Sequence, residues 1–132
     1  TLGSSVSVYN VSPRSGIYRL RIAKFGPFLD PTVTYYSFPS YAQYKGWGIV
    51  FSAYSLLQQI TPPNIPTIRR LRIDDGVTQT DVTLSTSGAW TLNTTPTHVV
   101  SPSATKLEFS ILAQGGNAAW DYGIDDMQAT VL

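Results

Sequence analysis

The chain has 132 residues, of which 42% are hydrophobic and only 13% are charged. This length suits one domain, and the excess of apolar over charged residues excludes an intrinsically disordered chain. Nine basic and eight acidic residues give a net charge of +1, which excludes the strongly basic surface typical of nucleic-acid or anionic-membrane binding. Cysteine is absent, so disulfides and thiolate metal sites are excluded as well.

Short runs of alternating residues predict β-strands throughout the first half of the chain. These predicted strands lie at 5–11, 18–23, 32–38 and 48–57. The second is the clearest, because Tyr18, Leu20 and Ile22 alternate with polar or small residues. The end of the fourth, at 56–60, also permits a helical turn, and the Pro-rich segment 62–66 predicts a loop.

The second half repeats this pattern of short strands and turns. Its predicted strands lie at 67–74, 77–84, 106–112 and 122–132, with one short or bent strand at 90–94 and 98–100. Asp75 and Gly76 form a two-residue hairpin signal between the first two. The eight or nine strands of the chain predict an all-β fold, an antiparallel β-sandwich of the jelly-roll type. We expect one domain over 1–132, with 1–14 as a less regular N-terminal segment. The predicted core comprises Tyr18, Leu20, Ile22, Phe51, Leu71, Ile73, Leu107, Phe109, Ile111, Met127 and Val131.

Five short motifs follow one another in an order typical of a known group of proteins. They are SGIYRLR at 15–21, FSAY at 51–54, SGAW at 87–90, LEFSI at 107–111 and YGIDDM at 122–127. The series resembles the carbohydrate-binding-module jelly rolls of the galactose-binding-like group, over residues 15–132. That resemblance implies a sandwich fold and a sugar-binding role, although a fold by itself does not establish a function.

No combination of residues in the sequence predicts catalysis. His98 is the only histidine, and its position beside two valines indicates a strand-edge residue rather than a general base. A serine nucleophile elbow of the Gly-x-Ser-x-Gly type is absent. Adjacent strand residues point to opposite faces, so neither the pair at 74–75 nor the pair at 125–126 can act as two glycosidase carboxylates. We therefore expect a non-enzyme.

Asp125 is the candidate metal ligand. It shares strand parity with Met127, Ala129 and Val131, which places its carboxylate on the apolar face. A carboxylate there needs a hydrogen-bonding, ionic or metal partner. The resemblance implies a structural calcium ion held with the help of Asp125. The alternatives are an ion pair with an arginine such as Arg21 or a position beyond the edge of the core.

Aromatic side chains supply the candidate ligand-binding residues, because a ring face stacks on the apolar face of a pyranose. The candidates are Tyr54, Trp47, Tyr44 and Tyr41. Tyr54 occupies the position at which the resembled modules have a groove-facing aromatic residue, and the segment 41–47 is predicted to be an exposed loop. Trp90 and Trp120 are instead expected in the core.

Two functional hypotheses remain open. The leading one is a non-catalytic virion surface protein, such as a bacteriophage capsid decoration (cement) or tail-associated protein. It follows from a stand-alone jelly roll that begins at a threonine without a signal peptide. The alternative is the glycan-binding module of a secreted glycanase or adhesin. We expect a homo-oligomer with virion protein partners, or an extracellular glycan partner in the second case, and neither nucleic acid nor membrane.

Overall fold

The computed structural model describes residues 4–9, 19–24, 32–59, 66–115 and 120–132, and side chains within 37–57, 66–115 and 120–132. Ten strands lie in these ranges. They are β1 Ser4–Tyr9, β2 Arg19–Lys24, β3 Thr32–Ser37, β4 Gly48–Gln59, β5 Ile68–Asp74, β6 Gln79–Thr83, β7 Thr91–Thr94, β8 His98–Val99, β9 Glu108–Gln114 and β10 Trp120–Val131. One 3₁₀ turn, Tyr41–Tyr44, precedes β4. The predicted all-β fold is confirmed.

The strands form two antiparallel sheets. Sheet A has the order β1-β2-β10-β4-β7, with β8 also paired to β4, and sheet B has the order β3-β9-β5-β6. The predicted hairpin at Asp75 and Gly76 connects β5 to β6. Gly76 has φ +86°, and a Cβ there would lie 2.1 Å from the Oγ1 of Thr105. Glycine is therefore the residue that this turn accommodates.

One hydrophobic core lies between the sheets. Along β4 the side chains of Ile49, Phe51 and Ala53 are buried, and the residues between them are half-buried. Phe51 of sheet A meets Phe109 of sheet B edge-on, with 5.3 Å between ring centroids. Each such large side chain contributes about 1.5–3 kcal/mol through removal from water.

The predicted core is confirmed at six positions. These are Phe51, Leu71, Ile73, Leu107, Phe109 and Ile111. Met127 is only partly buried, and Val131, the last residue of β10, is 41% exposed. Tyr18 and the side chains of Leu20 and Ile22 lie outside the described residues.

A β-bulge in β10 overturns the predicted orientation of Asp125. The register shifts between Asp125, which pairs with Tyr54, and Gln128, which pairs with Ser52. Three steps along β10 therefore match two steps along β4, and the extra residue reverses the alternation. Asp125 lies on the outer face of sheet A, whereas Ala129 pairs with the buried Phe51 and lies on the inner face, where Ala129 itself is exposed.

The boundaries of two other elements also differ from expectation. β4 continues to Gln59, and its last residues pair with β10, so the helical turn permitted at 56–60 does not form over the described part of that range. The 3₁₀ turn Tyr41–Tyr44 was not predicted, because its four residues carry no periodic signal. The loop expected at 62–66 and the segment 1–14 lie largely outside the described residues.

Candidate functional site

The outer face of sheet A carries Tyr54 at its centre. Tyr54 lies directly opposite Leu92 of β7 on one side and Asp125 of β10 on the other. Residues directly opposite each other share a face, with Cβ atoms about 4.5–5.5 Å apart. Tyr54 is half-buried and Leu92 is 51% exposed. The ring of Tyr54 therefore has an apolar neighbour on one flank and a carboxylate on the other.

The residues next to this row are small or uncharged. Ser52 is paired with Thr94 and Gln128, and Leu56 is paired with Gly123. No basic side chain lies on this face among the residues whose side chains are described. An aromatic and aliphatic centre is thus surrounded by hydroxyl and amide groups that can donate and accept hydrogen bonds.

Trp90 belongs to this face rather than to the core. It directly precedes β7, where Thr91 pairs with the buried Ser55, so alternation places Trp90 on the side of Leu92. Trp90 is half-buried and lies outside the core cluster, whereas Trp120 is fully buried within it. The expectation was right for Trp120 and wrong for Trp90. The sequence could have placed Trp90 on the outer face, because it lies two residues before Leu92 and alternation puts both on the same side of the sheet.

The other aromatic candidates gather at the opposite end of β4. Trp47, 51% exposed, meets Tyr44 edge-on with 5.7 Å between ring centroids. Tyr41 and Tyr44 pack partly against the core. Tyr54 is six residues beyond Gly48, about 20 Å along a strand. The structure therefore separates Tyr41, Tyr44 and Trp47 from Tyr54, and one sugar ring cannot contact both groups.

The outer face of sheet B carries a cluster of ion pairs. Asp81 accepts hydrogen bonds from the Nε and Nη2 of Arg72 at 2.8 and 3.0 Å and from the Nη1 of Arg70 at 3.3 Å. The hydrogen bond from Arg72 lowers the pKa of Asp81, and the same bond raises the pKa of Arg72. These charges are directed at each other rather than at a ligand.

A groove of about 570 Å³ lies beside the β5–β6 hairpin. Its lining consists of Asp74, Gly76, Val77, Gln79, Thr105 and Lys106. The Nζ of Lys106 lies 3.4 Å from the Oδ2 of Asp74 and 3.3 Å from the Oε2 of Glu108. The groove offers no stacking ring, and its charged groups already pair with one another.

Asp75 organises a buried polar network between the sheets. Its Oδ1 accepts hydrogen bonds from the backbone amides of Val77 and Thr78, at 2.8 and 2.7 Å. Its Oδ2 accepts from the Thr78 hydroxyl, the Nε2 of His98 and the Ser101 amide, each at 2.9 Å. Burial alone raises the pKa of Asp75, but the amides of Thr78, Ser101 and Val77 outweigh it and hold that pKa far below its usual range.

His98 links this network to β6. Because an ionised carboxylate only accepts hydrogen bonds, the Nε2 of His98 carries a proton, and in the neutral ring its Nδ1 accepts from the Thr80 hydroxyl at 2.7 Å. A hydroxyl, an imidazole and a carboxylate in a row form the arrangement of a catalytic triad. However, His98 is 2% exposed and Asp75 fully buried, so substrate has no access to either group. The network stabilises the packing of β8 against the β5–β6 hairpin.

Asp125 has its own local partner. One carboxylate oxygen, Oδ1, accepts a hydrogen bond from the backbone amide of Asp126 at 2.8 Å. Within the ranges the structure covers, no group of three or more His, Cys, Asp or Glu side chains could hold a metal ion. The role of Asp125 in calcium binding stays a prediction, as does the homo-oligomer.

Comparison with solved structures identifies similar folds. The second family 16 carbohydrate-binding module of another protein is 14% identical, covers 97% of this chain and 86% of its own, and has a TM-score of 0.66. The xylan-binding CBM22-1 domain of Paenibacillus barcinonensis Xyn10C is 14% identical, with 98% and 81% covered and a TM-score of 0.62. The C-terminal family 22 module of Clostridium thermocellum Xyn10B is 14% identical, with 97% and 80% covered and a TM-score of 0.60.

These likenesses show the fold, a β-sandwich shared with carbohydrate-binding modules. No family model and no curated protein matches the sequence. The comparisons give no support to the virion hypothesis. In the part of the chain covered by the structure, no helix has the length and apolar character needed to cross a membrane.

Proposed function

We propose that the chain is a non-catalytic glycan-binding module whose binding surface is the outer face of sheet A. The observation that carries this proposal is the row Leu92–Tyr54–Asp125, in which a central aromatic ring has an apolar and an acidic neighbour. The solved neighbours support the same class, since all those named above are carbohydrate-binding modules.

The chemistry of this face suits a sugar. The ring of Tyr54 offers an apolar surface for the axial hydrogens of a pyranose. The residues around it bear hydroxyl, amide and carboxylate groups, which bond to sugar hydroxyls. Trp90 would supply a second ring on the β7 side, diagonal to Tyr54 across the β4–β7 pair and about 7–8 Å away.

A secreted setting fits this proposal. A glycan-binding module acts where polysaccharide or cell-surface glycan is present, so we place the protein outside the cell. The chain then serves to hold a catalytic or adhesive partner near its glycan. This setting replaces the virion as the favoured location.

A glycan array followed by calorimetric titration tests the function. Tyr54→Ala and Trp90→Ala should each weaken binding of the selected glycan by about 1–3 kcal/mol, which is typical of an aromatic anchor. Trp47→Ala, at the far end of β4, and Arg72→Ala, on the other sheet, are the controls and should change affinity less than about twofold. A wild type that binds no glycan would refute the proposal, as would equal losses in all four variants.

A further inference from the structure

We infer that Asn93 is a positioning residue of the binding surface, because its buried carboxamide supports the segment that carries Trp90. Asn93 is 6% exposed and pairs with the buried Ala53 on the inner face of sheet A, so a glycan on the outer face cannot contact it. Alternation along β7 decides that Trp90 lies on the outer face. Asn93 decides how firmly Trp90 is held there, and the consequence for affinity rests on the proposed function.

The carboxamide of Asn93 joins three segments of the chain. Its Oδ1 accepts a hydrogen bond at 2.8 Å from the backbone amide of Ser85, in the connection between β6 and β7. Its Nδ2 donates to two groups of β4, the carbonyl oxygen of Ala53 at 3.1 Å and the Oγ of Ser55 at 2.9 Å. The same Nδ2 donates to the carbonyl oxygen of Thr91 in β7 at 3.1 Å. One side chain therefore ties β7 and the connection before it to β4.

The segment before Trp90 gains little from packing. Residues 86–89 are exposed, so burial of apolar surface does not hold them in place. Trp90 precedes Thr91, the first residue of β7 that pairs with β4. β7 has only four residues and comes last in the strand order of sheet A. Strand pairing therefore supports Trp90 from its C-terminal side alone, and the N-terminal side depends on hydrogen bonds in the connection.

Those hydrogen bonds begin at Ser85. Its Oγ accepts the backbone N–H of Ser87 at 3.1 Å, and the Oγ of Ser87 accepts the N–H of Ala89, also at 3.1 Å. Two further bonds anchor the series, from the hydroxyl of Tyr122 to the carbonyl oxygen of Ser85 and from the N–H of Leu57 to that of Ser87, both at 2.9 Å. Loss of the carboxamide should therefore loosen this segment without releasing it completely.

The order of the Trp90 indole in the protein without ligand is the first readout. Tryptophan occurs at positions 47, 90 and 120, so each indole N–H can be followed separately in ¹⁵N relaxation measurements. Order parameters report motion on the picosecond-to-nanosecond scale. In Asn93→Ala we expect the order parameter of Trp90 to fall, while those of Trp47 and Trp120 stay at their wild-type values. An unchanged value at Trp90, or an equal fall at all three, would overturn the inference.

Affinity for the array-selected glycan is the second readout. A ring that is already ordered loses less conformational entropy on binding, so Asn93→Ala should bind about fivefold more weakly than the wild type. Ile111→Val is the matched control, because it destabilises the core from β9 of sheet B, where Ile111 is fully buried. At a temperature where circular dichroism shows both variants folded, Ile111→Val should bind within about twofold of the wild type. Equal losses in the two variants would overturn the inference, since affinity would then follow overall stability.

A second substitution keeps the test decisive if Asn93→Ala does not fold. Asn93→Thr lacks the carboxamide but has a β-branched side chain, which suits a strand. It should show the same fall in the order of Trp90 and the same loss of affinity. Wild-type order at Trp90 in Asn93→Thr would overturn the inference.

The two readouts separate this inference from the proposed function. A wild type that binds no glycan would refute the proposed function, whereas a fall in the order of Trp90 in ligand-free Asn93→Ala would still support the positioning role. A wild type that binds glycan while Asn93→Ala keeps both the order of Trp90 and the affinity would refute the positioning role alone.

Discussion

The two outer faces of the sandwich differ in how they use polar residues. On sheet B, Arg70, Arg72 and Asp81 satisfy one another through hydrogen bonds of 2.8 to 3.3 Å. On sheet A, the described centre is Tyr54 with the exposed Leu92 beside it. A face whose charges are paired internally has little left to offer a ligand, whereas a half-buried ring beside an exposed leucine, surrounded by hydrogen-bonding groups, is suited to bind one.

Both sheets contain an irregularly paired strand. β5 and β9 of sheet B pair in unbroken register from Ile68 to Asp74, but the register of β3 against β9 shifts between Thr34 and Tyr36. β10 of sheet A is interrupted by the bulge next to Asp125. The difference between the two faces therefore lies in their side chains and not in the regularity of the backbone.

The largest expected effect concerns the network that joins the two sheets. Asp75→Ala removes the acceptor of five hydrogen bonds and leaves the buried Nε2 of His98 without its carboxylate partner. We expect the free energy of unfolding to fall by about 3–5 kcal/mol, because several hydrogen bonds to a carboxylate are lost and a buried donor is left unsatisfied. Urea denaturation measures this loss, and a change below about 1 kcal/mol would show that the network is not structural.

Acid should act mainly through the same residue. Because the pKa of Asp75 is lower in the folded than in the unfolded chain, its ionised form stabilises the fold above about pH 4. This stabilisation is lost as the pH falls below about 4 towards the folded-state pKa. Melting temperatures between about pH 2 and 7 should therefore decline more steeply for the wild type than for Asp75→Asn. If the melting temperatures of the wild type and Asp75→Asn fall equally with pH, the acid sensitivity arises from other groups.

Leu92 sharpens the contrast between the faces. Leu92→Ala removes the apolar neighbour of Tyr54 and should weaken glycan binding by about 1 kcal/mol, with little loss of stability because the side chain is 51% exposed. Val77, 55% exposed beside the β5–β6 hairpin, provides the matched control. Titration calorimetry measures the glycan affinity of Leu92→Ala and Val77→Ala. An equal loss of affinity in both variants would show that the surface around Leu92 is no more important for binding than the surface around Val77.

The smallest expected effect is on sheet B. Asp81→Asn breaks the ion pairs with Arg72 and Arg70, whose side chains are partly exposed, and should cost about 0–1 kcal/mol of stability. The cost should shrink in high salt, and glycan affinity should not change. A loss of affinity in this variant would mean that the paired face takes part in binding.

Local sequence patterns predicted the sandwich because alternation and turn residues act over a few positions. The hairpin at Asp75 and Gly76 and the buried face of β9 follow from such signals. The orientation of Asp125 could not be predicted, since one extra residue in β10 is visible only in its pairing with β4. Strict alternation was applied across a bulge, and the carboxylate was therefore placed on the wrong face.

The candidate site was predicted in part. Tyr54 was identified by its place in the FSAY motif, and the structure finds it on an outer face. Grouping it with Trp47 neglected the length of β4, which keeps the two rings at opposite ends of the strand. The network of Asp75 and His98 joins residues that are 23 positions apart in the sequence, and no sequence motif predicts such a contact.

The central claim, that the outer face of sheet A binds glycan, is tested most directly by amide chemical-shift mapping. The uniformly ¹⁵N-labelled protein is titrated with the soluble glycan selected on the array. We predict that the largest shifts fall on Tyr54, Leu92 and Asp125, while Arg72 and Asp81 stay unchanged. Shifts concentrated on Arg72 and Asp81 would contradict the account, as would a spectrum unchanged by every glycan tested.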